Sequence, residues 1–119
     1  MTFAGVLAIT IGLGMLAQWT RSFVAREIPE LNSEPIRLGF HLAGEAITAL
    51  LLLVAGIGLL TAAAWAPALF LISAGMLLYT AIVSPGYFAQ RGQWGWMIFF
   101  GALILLALVA VLTVLATSP

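Results

Sequence analysis

Four long apolar runs alternate with short polar interruptions along this chain. The runs cover roughly Thr2–Trp19, Ile36–Leu60, Pro67–Ser84 and Trp94–Thr117, and each has the length of about 17 to 25 mostly apolar residues that a membrane-spanning helix needs. The interruptions supply the punctuation. Asn32-Ser33-Glu34-Pro35 offers a polar N-cap, an acidic first turn and an early proline for the second helix. Pro67 suits the first turn of the third helix. Ser84-Pro85-Gly86 is expected to stop that helix, because proline clashes with the preceding turn and glycine tolerates a reversal. Trp19, Trp65, Trp94 and Trp96 fall at the expected span ends and read as interfacial anchors rather than ligand-binding aromatics. The first run reads as a retained helix and not a secretory signal. No positive residue precedes it, and Arg21 and Arg26 follow it, the reverse of the secretory pattern.

Composition changes this picture from four helices to four helices in lipid. Of 119 residues, 64% are hydrophobic and only 7% charged, with a mean hydropathy of +1.21, whereas an ordinary soluble domain is about 25% charged. The apolar surface must therefore face a bilayer, and the expected fold is an all-α transmembrane four-helix bundle forming a single domain over residues 1–119. The chain has no cysteine, which removes disulfides, thiolate metal sites and thiol redox chemistry within it. A formal net charge of zero gives nucleic acid nothing to bind.

Charge placement suggests an orientation. Arg21, Arg26, Arg37 and Arg91 all fall on one side of a four-span topology. The positive-inside rule puts that side in the cytoplasm and both termini outside. The connection from Gln18 to Pro35 is the longest and most polar, holding Arg21, Arg26, Glu27, Glu30 and Glu34. Its stretch Arg21–Ile28 reads as a solvated connector, an interfacial turn or a lid. Gln18, Gln90 and Gln93 read as interfacial polar residues.

Lipid tails are as apolar as leucine, so helix association relies on close approach at small residues. Ala4, Ala8 and Gly12 form one such ladder on the first helix. Gly44, Thr48, Ala55 and Gly56 lie on the second, Ser73, Thr80 and Ser84 on the third, and Gly101 on the fourth. These faces could pack within one chain or between copies. A homo-oligomer is expected, and a larger membrane complex is a further candidate partner.

The sharpest chemistry is on the second helix, where FHLAGE (Phe40–Glu45) places His41 and Glu45 four apart on one face, with Thr48 about a turn beyond. Glu45 lies nine residues past Ile36, roughly 13 Å along the axis. That depth is inside the leaflet, and a charge at the bilayer centre costs at least about 2.5–3.5 kcal/mol. Such a residue should face the bundle and find a partner. By depth, Tyr79 and Thr80 of the third helix reach the level of Glu45, while Ser84 and Tyr87 come nearer His41, and Arg37 sits a turn below it. The candidate ligand or proton site is thus His41, Glu45, Thr48, Tyr79 and Thr80. Three readings stand. Glu45 is a satisfied polar pin in the packing, a binding or proton site, or half of a metal site. Only His41 and Glu45 could donate to a metal, so that last reading needs two copies of the chain.

The segments EIPELN (Glu27–Asn32), FHLAGE and LLYTAIVSPGYFAQRG (Leu77–Gly92), together with the four-span layout, resemble small prokaryotic membrane proteins of uncharacterised function. The resemblance implies a bacterial or archaeal source and a stand-alone small protein, and carries no activity or site residue with it; the expected location is the prokaryotic inner membrane. No phosphate-binding loop, nucleophile elbow or metalloprotease motif is present, so the pattern names no cofactor and ranks an enzyme third. First stands a non-enzymatic membrane protein with a buried polar pocket that binds or relays a small ligand or proton. Its rival is a structural or assembly subunit in which Glu45 pins the packing.

Overall fold

Nothing in Thr20-Arg21-Ser22-Phe23-Val24 breaks a helix, and the first helix does not stop at Trp19 as expected. In the computed structural model, which describes residues 1–26, 28 and 30–117, α1 runs Thr2–Val24. Polar residues there mark the end of the lipid-facing stretch without ending the hydrogen-bond ladder, and Arg26 turns left-handed (φ 56°) just beyond it. Of the stretch read as a connector or lid, Arg21–Val24 therefore belongs to α1. Ile28 is buried, and Glu27 lies outside the described residues.

A short α2, Glu30–Ser33, leads into α3, Pro35–Leu60, with proline in its first turn. The N-cap is Glu34, but its side chain does not cap the helix. It accepts a hydrogen bond from Arg37 Nη1 at 2.8 Å instead. The helix α4, Ala66–Val83, holds Pro67 in its first turn as the pattern indicates.

The expected stop at Ser84-Pro85-Gly86 is only a pause. Ser84 keeps right-handed helical angles (φ −62°, ψ −35°), and α5 continues over Pro85–Gln90. Proline at the start of a new helical segment lacks only an N–H that has no partner there. The reversal comes later, at Gly92, whose φ of +73° suits a residue without Cβ. The last helix, α6, spans Trp96–Thr117, starting two residues after Trp94.

The helices form a closed ring, α1 on α3, α3 on α4, α4 on α6, and α6 back on α1. Neighbours are antiparallel. Gly5 lies against Leu60 while Gly12 lies against Ala49 and Leu53, and Thr117 Oγ1 at the end of α6 is 3.6 Å from Met1 Sδ. The arginines consequently gather at one end of the bundle and the two ends of the chain at the other. The longest dimension is 47 Å, slightly more than the roughly 40–45 Å of a bilayer with its headgroups. Four helices, Thr2–Val24, Pro35–Leu60, Ala66–Gln90 and Trp96–Thr117, are long and apolar enough to cross a membrane. Large apolar side chains such as Ile36, Phe40 and Ile98 point outward. These features point to a multi-pass membrane protein.

The small-residue faces pack within the chain. Ala4 and Ala8 of α1 are buried together with Ala49 and Ala55 of α3. A Cβ added at Gly12 would lie 2.8 Å from the Ala49 carbonyl oxygen, and one at Gly56 would lie 2.8 Å from that of Gly5. By contrast, Gly44 and Gly101 face open space. The sequence ladder was real, but only part of it belongs to the intrachain seam.

Candidate functional site

Close packing of α1 on α3 makes α3 the hub of the ring and turns its polar face inward. Glu45 is only 8% exposed and Thr48 3%. From α4, Thr80 Oγ1 donates a hydrogen bond to Glu45 Oε1, which ties two spans together at the centre of the site. The Ser84 hydroxyl lies 3.1 Å from that of Thr80. While Glu45 is ionised, Thr80 directs its single proton at the carboxylate and Ser84 is the donor in the second bond; with Glu45 protonated, either hydroxyl can donate. A short chain of hydroxyls therefore runs from Glu45 toward the arginine-bearing end.

His41 approaches the same oxygen from one turn below, with Nε2 3.6 Å from Oε1. That separation is too long for a hydrogen bond but close enough for an imidazolium to interact with a carboxylate. The His41 side chain is 45% exposed and meets Trp19 of α1 edge-to-face, with ring centroids 5.8 Å apart. His41 thus bridges the buried carboxylate and the bundle surface.

The other expected members do not join Glu45. Thr48 is buried on the right face, but its hydroxyl donates to the Gly44 carbonyl at 2.7 Å, within its own helix. Tyr79 is 71% exposed. One residue is about 100° of helical rotation, so the turn that aims Thr80 inward aims Tyr79 outward. Depth along the axis was read correctly, and the rotation was not. Tyr87 lies beneath the Arg91 guanidinium, 3.6 Å from the ring centroid. Among the described residues, no third His, Cys, Asp or Glu joins His41 and Glu45 to hold a metal ion.

Two features were missed. Trp19, read as an anchor, is a neighbour of His41 because α1 continues past it and lies alongside α3. It also lines a groove of about 190 Å³ between α1 and α3, together with Met15, Thr20, Phe23, Ala49 and Glu45. Among the described residues, Glu45 is the only charged one in that lining. Its Oε2 accepts no hydrogen bond from the described residues, whereas Oε1 takes both the Thr80 bond and the His41 contact. No fully enclosed side-chain polar atom among the described residues lacks a partner, so Oε2 retains accessible surface. No sequence pattern marks a groove formed by two helices packed at their small residues.

No curated protein and no solved structure matches the chain. Residues 1–118 match a family described as a domain of unknown function, DUF8058, and with almost its whole length covered the chain belongs to that family.

Proposed function

We propose that this is a small integral membrane protein of the prokaryotic inner membrane whose Glu45 carboxylate binds or relays a proton or small ligand. The observation that carries the reading is the incomplete bonding of Glu45. An ionised carboxylate has about four acceptor positions, and a buried group left short of partners costs about 1–3 kcal/mol or more. A carboxylate kept only to pin two helices would be expected to have both oxygens engaged. Here Oε1 alone is held, by Thr80, while Oε2 keeps accessible surface and Glu45 lines a groove. His41 and the Thr80–Ser84 hydroxyls lie on the path from Glu45 to the arginine-bearing end, which suits proton passage. The proposed orientation places that end in the cytoplasm and both termini outside. Self-association is part of the proposal, with open small-residue positions such as Gly44 and Gly101 as contact points.

Glu45→Gln tests this reading, because the amide keeps size and hydrogen bonding but loses the ionisable proton. The variant should fold and assemble like the parent, yet lose ligand binding or proton flux into dye-loaded proteoliposomes. If it equals the parent at every pH in stability, binding and flux, the site reading is wrong.

A second reading has its own support. The Thr80–Glu45 bond ties α3 to α4, as a structural or assembly subunit would require. In that case Glu45→Gln is silent, while Glu45→Leu and Thr80→Val both destabilise the bundle.

A further inference from the structure

The groove at Glu45 restricts what can occupy it. Its volume of about 190 Å³ is below the roughly 300–1,000 Å³ of drug-sized pockets. Its lining is mainly apolar and aromatic, including Met15, Leu16, Trp19, Phe23 and Ala49. Phe23 is 43% exposed, so the groove reaches the bundle surface. A hard divalent cation such as calcium takes about six to eight oxygen ligands, and the side chains here offer one carboxylate and the Thr20 hydroxyl. An anion would meet the Glu45 charge with no cationic residue in the lining to offset it. A neutral apolar molecule would leave Oε2 unpaired. The remaining class is a cation that carries its own apolar body, for which a carboxylate supplies the counter-charge and an indole supplies a cation–π surface.

We propose that the α1–α3 groove binds small organic ammonium ions, with Glu45 as the counter-ion and Trp19 as the aromatic wall. The proposal rests on the reading of Glu45 as a binding site and names its ligand class. The occupant is a free solute whose apolar part lies among Met15, Trp19 and Phe23 while its ammonium faces Oε2. Thr80 and His41, both at Oε1, hold the carboxylate in place.

The test uses the full chain in dodecyl maltoside, which contains no ammonium group. Benzyltrimethylammonium is titrated while the Trp19 indole N–H resonance is followed, assigned by its loss in Trp19→Phe. tert-Butylbenzene, the neutral analogue of the same shape, is the control. A saturable shift with the cation, absent with the hydrocarbon and weakened at least tenfold in Glu45→Gln, is the expected result. Equal and non-saturable shifts from both compounds mean partition into detergent and overturn the proposal. So does an undiminished response in Glu45→Gln, or complete loss of the response when phosphatidylethanolamine is added, which would assign the groove to a lipid headgroup. The two levels separate cleanly. If Glu45→Gln abolishes proton flux but no cation binds, the ligand class is wrong and the site remains. If Glu45→Gln changes neither, both fall.

Discussion

Gly56→Ala puts one methyl group into the α1–α3 seam, and the structure gives the cost. The new Cβ would lie 2.7 Å from Ile9 Cγ1, 2.8 Å from the Gly5 carbonyl oxygen and 3.2 Å from Ala8 Cβ. Ordinary contact begins at 3.4 Å, so relieving the carbonyl clash alone requires the backbones to separate by about 0.6 Å. Ile9 can turn aside, but a carbonyl within a helix cannot. Separation would also loosen Ala4, Ala8 and Ala55, which are at most 1% exposed. Overpacking of this kind costs about 1–3 kcal/mol. Against it stands the helix propensity gained on replacing glycine by alanine, up to about 1 kcal/mol. The clash should win, and Tm in a mild detergent should fall by several degrees. The control is Gly14→Ala. It makes the same change within α1, where nothing lies within 4 Å, and should leave Tm unchanged or raise it. Equal behaviour of the two variants would refute the close approach of α1 to α3, and with it the groove those helices enclose.

Other outcomes follow from the same geometry. Thr80→Val removes the only direct hydrogen-bond donor to Glu45 among the described residues and should destabilise the fold by about 1–3 kcal/mol, read by chemical denaturation in detergent. Arg37→Ala should change stability by less than about 1 kcal/mol, since its pair with Glu34 is solvent-facing (side chains 81% and 49% exposed). A larger loss in the same denaturation series would mean the connector is packed more tightly than this. Cysteines introduced at either end of the chain should react with an impermeant reagent added outside intact cells, and protection of both would invert the proposed orientation. Mass measurement in mild detergent and in nanodiscs should show a dimer or larger species, and a monomer in both would defeat self-association.

Much of this protein was legible in one dimension. A chain 7% charged with four apolar runs has one solution in lipid, because only helices or closed barrels satisfy every backbone group there. Runs of this length and character make helices. Axial position was equally legible, since depth accumulates at about 1.5 Å per residue, and it correctly placed Thr80 opposite Glu45. Helix ends were less so. The polar residues after Trp19 suggest an end to α1, and Pro85 an end to α4, although neither a hydroxyl nor a proline at the start of a turn breaks the hydrogen-bond ladder. The rotation of each helix about its axis was beyond the sequence. In lipid an apolar residue is stable on either face, and neither α4 nor α6 carries a polar stripe broad enough to fix which side turns inward. Only packing decided that Thr80 faces Glu45 while Tyr79 faces out. Packing also decided that Trp19 belongs beside His41. The groove is the clearest case. It exists because Gly5, Gly12 and Gly56 draw α1 and α3 together, while the bulkier Met15, Trp19 and Phe23 line the space beside Glu45.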